Sequence, residues 1–346
     1  DGDGVGDVLI GAYNDEDGGS SAGAAYLVSG LTSGSLSDAP LTLIGEDTLD
    51  HAGWSVAGAG DVDGDGLSDL LVGAYGDDDG NPEAGAAYVV YGGATGTLDL
   101  ADADLKLTGE DSGDYAGYAV AGAGDVNGDD LDDLLIGAWR DEDGGTESGS
   151  AYLIYGGLTA GIGLSSADVQ LVGERNGDYA GHAVAGAGDV DGDGLDDLLI
   201  GAYGDDTNGS TAGAVYVVYG AITGDLDLSD YDVKILGEDG ADQAGYAVSG
   251  AGDADGDGLA DLLIGANTDE SGGGNAGAAY LVLGGVSGES SLADLAAAEL
   301  IGESGADYAG WSVSGAGDVN GDDLDDLLIG AYGDDDNGSN AGAAYL

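Results

Sequence analysis

Aspartates recur at fixed spacing in a nine-residue stretch that begins at Asp61. Asp61, Asp63, Asp65 and Asp69 hold positions 1, 3, 5 and 9 of a glycine-containing loop. Carboxylates at this spacing converge oxygen ligands on one hard cation, and the main-chain carbonyl of Leu67 at position 7 adds another. Oxygen ligands without His or Cys favour Ca²⁺ or Mg²⁺ over zinc or copper, and flexible carboxylates favour the larger ion. The stretch therefore predicts a calcium site.

The same nonapeptide recurs four more times, and part of a sixth copy lies at the N-terminus. Asn127 and Asn320 replace Asp at position 3, and Asp130 and Asp323 replace Gly at position 6, where Asp tolerates a left-handed backbone. A metal-free turn capped by its own Asp side chains is the alternative, but unneutralised carboxylates repel one another. We expect about one Ca²⁺ per loop. The further predicted ligands are Asp1, Asp3, Val5, Asp7, Asp125, Asn127, Asp129, Leu131, Asp133, Asp189, Asp191, Asp193, Leu195, Asp197, Asp253, Asp255, Asp257, Leu259, Asp261, Asp318, Asn320, Asp322, Leu324 and Asp326.

The loops belong to a longer repeat, since they follow one another at intervals of 64, 64, 64 and 65 residues. A fixed period of this kind indicates a repeat architecture. Within one unit, the composition predicts strands over 51–60, 69–75, 85–91 and 105–109, with a longer loop over 92–104. The metal loop lies between the first two strands, so these strands must position its ligands.

Four short antiparallel strands per unit predict an all-β fold, a β-propeller of four-stranded blades. A parallel β-helix has a much shorter coil than 64 residues. Helical repeats are disfavoured because the 74 glycines interrupt every stretch long enough to form a helix. The chain is expected to hold 22 strands, because the first unit lacks its first strand and the last unit stops in its third.

The unit resembles the FG-GAP repeat, found in the N-terminal propeller of integrin α subunits and in many bacterial surface proteins, which makes a bacterial or archaeal integrin-like surface protein the expectation. The resemblance lies in the cation loop, in the period and in Gly-Ala pairs such as Gly73-Ala74. Ala-Gly replaces the Phe-Gly of the name, as at Ala52-Gly53, and Tyr75 stands in place of Pro. The resemblance implies a seven-bladed propeller, calcium on one face, and partner binding by loops of the opposite face.

The repeat predicts one β-propeller domain over residues 1–346, with six of seven blades in a chain truncated at both ends. A self-contained six-bladed ring is the alternative. The expected units are 1–50 (partial), 51–114, 115–178, 179–242, 243–307 and 308–346 (partial).

The acidity of the chain exceeds what the loops explain. The net charge is −65, and only four residues are Lys or Arg, which disfavours nucleic acid as a partner. Acidic loops between the second and third strands, such as 77–79, are expected to form a solvated rim, alternatively a face that binds a cationic protein or polysaccharide ligand.

The apolar residues fall in short blocks, so no membrane insertion is expected. The chain has no Cys, so disulfides and thiolate metal sites are excluded.

Catalysis is not expected. His51 and His182 occupy positions that hold aromatic residues in other units and are expected to replace them in a repeating contact. A carboxylate pair for glycoside hydrolysis is disfavoured, because nearly all carboxylates recur in every unit whereas an active site is singular. We expect a calcium-binding, non-catalytic binding or cell-adhesion module of a secreted or surface protein. The alternative is an accessory propeller of an extracellular hydrolase such as a phospholipase.

Overall fold

Aliphatic residues fill the second strand of the central units on both faces. The sequence Asp-Leu-Leu-Ile-Gly-Ala is buried at every residue over Asp133–Ala138, Asp197–Ala202 and Asp261–Ala266. A strand covered on both faces has no solvent side, so its sequence is a continuous apolar run and not an alternation. Each of these sheets is therefore packed between two neighbours.

The computed structural model describes residues 5–30, 34–336 and 338–346. The first unit contains β1 (Val8–Ala12), β2 (Ala24–Val28) and β3 (Leu41–Ile44). The second contains β4 (Ser55–Gly60), β5 (Asp69–Ala74), β6 (Ala86–Val90), β7 (Gly96–Asp99) and β8 (Leu105–Thr108). The third contains β9 (Ala119–Gly124), β10 (Asp133–Ala138), β11 (Ser150–Ile154), β12 (Ile162–Gly163) and β13 (Val169–Val172).

The fourth unit contains β14 (Ala183–Gly188), β15 (Asp197–Ala202), β16 (Ala214–Val218), β17 (Leu226–Asp227) and β18 (Val233–Leu236). The fifth contains β19 (Ala244–Gly252), β20 (Asp261–Ala266), β21 (Ala278–Val282), β22 (Gly288–Ser291), the short helix α1 (Leu292–Leu295) and β23 (Ala298–Ile301). The sixth contains β24 (Ala309–Gly317), β25 (Asp326–Ala331) and β26 (Ala343–Tyr345). Turns of 3-10 helix lie at Leu36–Asp38, Leu100–Asp102, Leu164–Ser166 and Leu228–Asp230.

The strands form six sheets in chain order, and the 22 predicted strands are present with antiparallel pairing inside each sheet. The prediction of a longer loop over 92–104 is wrong for part of that segment. This segment and its counterparts contain four further strands, β7, β12, β17 and β22, and each pairs in parallel with the last strand of the preceding unit. The pairing joins two units, so a pattern read within one unit cannot reveal it.

Successive sheets are arranged radially, with their first strands side by side. β4 lies against β9, β9 against β14, β14 against β19, and β19 against β24. A parallel bridge also links each sheet to the next, as between Gly85 and Ala116. Radial repetition of small sheets is the β-propeller, which confirms the predicted fold.

The apolar core lies between the sheets, and the fifth and sixth sheets each keep apolar residues exposed. Leu300 and Leu328 are 38% and 40% exposed, whereas their counterparts Ile235 and Leu263 are fully buried. The six described sheets thus form an arc with an uncovered side. Within the described residues, no helix is long and apolar enough to cross a membrane.

Candidate metal loops and the opposite face

A bulge places each metal loop at the end of the first strand. The register between β4 and β5 shifts at Gly58 and Gly60, and Gly60 has φ +77°, in the left-handed region that favours glycine. Asp61 follows directly, and its carboxylate accepts hydrogen bonds from the main-chain N–H groups of Gly64 and Gly66, each at 2.9 Å. The first aspartate therefore folds the loop around its own side chain.

The last aspartate of each loop is the most buried one. Asp69, Asp133, Asp197 and Asp261 are fully buried and begin the second strands. Asp69 accepts hydrogen bonds from Val62 N at 3.0 Å and from Gly92 N at 2.8 Å, so it joins the loop to the connection that follows the third strand. Burial raises the pKa of Asp133 and of Asp197 to about 6. Burial without a cation favours the neutral form of a carboxylate. A bound cation would favour the charged form instead.

Three carboxylates converge in three of the loops, at positions 1, 3 and 9. Their oxygen atoms lie within 4.8 Å of one another in each of these groups: Asp61, Asp63 and Asp69; Asp189, Asp191 and Asp197; and Asp253, Asp255 and Asp261. The position 5 aspartates lie outside these groups, and Asp65 accepts a hydrogen bond from Leu67 N at 2.8 Å. Ligation at all of the predicted positions stays a prediction, and only positions 1, 3 and 9 are already brought together.

The two complete loops with Asn at position 3 differ from each other. Asn127 Oδ1 is buried and has no hydrogen-bond partner among the described residues. Asn320 instead points its Nδ2 atom at Asp326 Oδ1, at 3.1 Å. Asp130 and Asp323 have φ +68° and +69°, so Asp does adopt the left-handed backbone at position 6. In the first loop, Val5 and Asp7 are described, while Asp1 and Asp3 lie outside the described residues.

The donor set of these loops fits a hard divalent cation. Every side-chain donor at the predicted ligand positions is oxygen, and the orphaned Asn127 oxygen stands where a ligand is predicted. Buried acceptors without partners are uncommon, since leaving one unsatisfied costs free energy.

The loops between the second and third strands lie on the opposite face, and the predicted solvated rim is wrong in one respect. The first aspartate of the loop is buried in the second to sixth units, where Asp77, Asp141, Asp205, Asp269 and Asp334 are at most 4% exposed. Tyrosines from the third strands donate to four of these side chains, as Tyr88 Oη does to Asp77 at 2.7 Å, whereas Tyr216 Oη donates to Glu174. A composition rich in Asp and Gly predicts exposure, but it does not show which carboxylate the next strand covers.

Lysine side chains complete this network in two sheets, a contact that the sequence pattern does not predict. Lys106 Nζ lies 2.7 Å from Glu46, 2.8 Å from Asp77 and 2.6 Å from Asp79. Lys234 Nζ lies 2.5 Å from Glu174 and 2.8 Å from Asp205. The sequence does hold a sign of this network. Lys is rare in this acidic chain, and it occupies the same strand position in two units.

The third sheet has no lysine at this position. Gln170 Nε2 donates instead to Asp143 at 2.9 Å. A cavity of about 330 Å³ lies beside it, and its lining includes Glu110, Asp141, Asp143 and Arg140. Burial, together with the surrounding carboxylates, raises the pKa of Glu110. This part of the face therefore combines negative charge with a concave shape.

Aromatic rings form a continuous row along the ends of the first strands. His182 lies in it, with ring centroids 5.2 Å from Tyr118 and 4.8 Å from Tyr246. His51 stacks on Tyr75 with 9° between the rings, as Tyr179 stacks on Tyr203. The interpretation of both histidines as aromatic replacements is confirmed.

Comparison with known proteins agrees with this architecture. Residues 52–90, 180–218 and 309–346 match the family model described as FG-GAP repeat. Integrin alpha pat-2 of Caenorhabditis elegans is 33% identical over 246 residues, 66% of this chain and 19% of that protein. Integrin alpha-V of Gallus gallus is 31% identical over 230 residues, 62% of this chain and 20% of its own length. Phosphatidylinositol-glycan-specific phospholipase D of Rattus norvegicus is 32% identical over 211 residues, 57% of this chain and 24% of that enzyme.

The chain thus spans about a fifth to a quarter of the length of these relatives. The matched segments include three of the metal loops, and the loops recur between the first two strands of successive blades. The chain is an integrin-like FG-GAP repeat protein.

Proposed function

We propose that the chain is a calcium-stabilised, non-catalytic binding module of a secreted or cell-surface protein. The observation that carries the proposal is the convergence of three carboxylates at the same place in three sheets. The cation would be held by the aspartates or asparagines at positions 1, 3, 5 and 9 and by the carbonyl at position 7. Ca²⁺ accepts six to eight oxygen ligands, so water would complete the shell.

The role of these loops is structural. Asp69 already joins its loop to Val62 and to Gly92 through main-chain hydrogen bonds. A bound Ca²⁺ supplies charge neutralisation and a cross-link between the first two strands of the blade. The chain has no Cys, so these cross-links take the place of disulfides.

Partner binding is assigned to the opposite face. The cavity beside Glu110 and Asp143 is lined mostly by carboxylates, and the net charge of the chain is −65. A cationic protein or polysaccharide ligand fits this chemistry. We expect a Lys-rich peptide to bind more weakly as salt rises, and the double change Glu110→Gln and Asp143→Asn to weaken binding further. Binding that is insensitive to both would contradict this assignment.

The second candidate is an accessory propeller of an extracellular hydrolase. The similarity to the rat phospholipase D favours it. In that case the catalytic groups would lie outside these residues, since the carboxylates here recur from unit to unit. The full reading frame of the gene discriminates the two candidates: a hydrolase domain favours the second, and further repeats or a surface anchor favours the first.

The test of calcium binding is a count of bound ions. After dialysis against millimolar CaCl₂, elemental analysis should find several Ca²⁺ per chain, and Asp69→Ala should lose about one. The matched control Asp78→Ala, an exposed change on the opposite face, should lose none. A chain that retains no calcium would overturn the proposal.

A further inference from the structure

Neighbouring metal loops are joined by the aspartate at position 8, a residue outside the predicted ligand set. Asp132 Oδ2 accepts a hydrogen bond of 2.6 Å from the main-chain N–H of Asp61, in the preceding unit. The main-chain N–H of Asp132 in turn donates to Asp61 O at 3.3 Å. The first ligand residue of one loop is therefore held by the next loop through both of its main-chain polar groups.

The same contact recurs in two other pairs of units. Asp196 accepts from Asp125 N at 2.9 Å, and Asp325 accepts from Asp253 N at 2.9 Å. The repetition shows that the link is part of the repeat and not an accident of one surface loop.

The carboxylates are seated against glycines of the preceding strand. A Cβ built on Gly60 would lie 2.2 Å from Asp132 Oδ2, and one on Gly124 would lie 2.1 Å from Asp196 Oδ2. Only a residue without a side chain leaves room for this approach. The position 8 carboxylate is thus packed into a fixed place.

Position 8 stands between two predicted ligands of its own loop. Asp132 lies between Leu131, at position 7, and Asp133, at position 9. A cation that orders the loop 125–133 must also fix Asp132, and Asp132 fixes the backbone of Asp61. Ordering of one loop therefore lowers the conformational cost of ordering its neighbour.

One link is missing. In the fifth unit, Ala260 occupies position 8, and only its main-chain N–H reaches the preceding loop, donating to Asp189 O at 2.9 Å. The position tolerates Ala without a carboxylate, which provides a natural precedent for removing the link elsewhere.

We propose that Asp132, Asp196 and Asp325 are positioning residues that couple cation binding between adjacent loops. The loops that begin at Asp61, Asp125 and Asp189 then fill as one group, and those that begin at Asp253 and Asp318 fill as a second. The proposal rests on the calcium binding proposed above. It adds a role to residues that do not bind the cation themselves.

The test follows the main-chain amide signal of the first aspartate of each loop by NMR during calcium titration of the whole chain. In the parent protein, the signals of Asp61, Asp125 and Asp189 should shift together along one steep curve. Asp196→Ala should separate the Asp125 curve from the Asp189 curve and weaken calcium binding at Asp125 by roughly fivefold or more. Asp196→Asn keeps an acceptor oxygen and should retain most of the coupling.

A gain of coupling provides the converse test. Ala260→Asp should bring the Asp253 signal onto the curve of the first group. Hydrogen exchange of the Asp125 amide, which does not depend on calcium uptake, should speed up in Asp196→Ala. Parent and Asp196→Ala proteins with the same calcium midpoints and slopes would overturn the coupling and leave the proposed function standing. A parent protein that takes up no calcium would overturn both.

Discussion

Lys234 Nζ lies 2.8 Å from Asp205 Oδ2, and the two side chains are 1% and 0% exposed. Burial alone lowers the pKa of Lys234, but hydrogen bonds to Asp205 and Glu174 outweigh it and raise the pKa overall. The ammonium is therefore charged in the folded protein, and it neutralises Asp205, which water does not reach.

Replacing this lysine should be costly. Lys234→Met leaves Asp205 fully buried without a cation, whereas Glu174 keeps its ion pair with Arg175. We expect a loss of about 3 kcal/mol in the free energy of unfolding. Urea denaturation at neutral pH measures it. Lys106→Met is the matched control, because the Lys106 side chain is 23% exposed and water reaches two of its three carboxylate partners, Glu46 and Asp79. Its loss should be smaller, and equal losses would contradict this explanation.

The fifth sheet offers the reverse experiment. Glu299 holds the strand position of Lys234, and burial together with Glu238 and Asp269 raises its pKa. Glu299→Lys should replace repulsion with an ion pair and raise the melting temperature by a few degrees, corresponding to about 1 kcal/mol at this exposed site. Glu270→Lys makes the same charge change with an exposed side chain in the neighbouring loop. If the melting temperature of Glu270→Lys rises as much, the effect comes from net charge alone.

Contact between successive sheets is close enough to exclude a methyl group. A Cβ on Gly85 would lie 2.1 Å from Ala116 O in the next sheet, while one on Gly113 would meet nothing within 4 Å. Both glycines have left-handed backbones, with φ +82° and +86°. Gly113→Ala should therefore cost about 1 kcal/mol for the backbone, and Gly85→Ala at least 2 kcal/mol more. Similar urea midpoints for the two variants would show that the sheets can move apart at low cost.

Acid should lower the stability of the fold through His182, which lies in the aromatic row. Burial among the rings lowers the pKa of His182 to about 4 from 6.5. Below pH 6.5 the unfolded chain binds a proton that the folded chain does not, so stability is complete above pH 6.5 and falls as the pH drops towards 4. His182→Tyr restores the residue type of the neighbouring units and removes this dependence of stability on pH.

The measurement is the free energy of unfolding of both proteins from pH 7 to pH 4. The variant should gain on the parent by roughly 3 kcal/mol over this range, because the carboxylates titrate alike in both and cancel. A difference that does not change with pH would place His182 in contact with solvent.

The sequence predicted those features of the structure that recur in every repeat unit. The period, the apolar runs and the nonapeptide predicted the 22 strands of the sheets and the position of each loop, and the shared positions predicted that His51 and His182 replace aromatic residues. Contacts between units were not predictable in the same way. Asp61 and Asp132 are 71 residues apart, and no local pattern pairs them. The burial of Asp77 likewise depends on Tyr88 and Lys106, which approach from other strands.

Thermal unfolding with and without calcium tests the central claim most directly. A cation that binds only the folded chain stabilises it by mass action, and several sites add their contributions. We predict that excess EGTA lowers the melting temperature sharply, by well over 10 °C, and that CaCl₂ restores it. An unchanged melting curve in EGTA would contradict the claim that calcium in these loops holds the blades together.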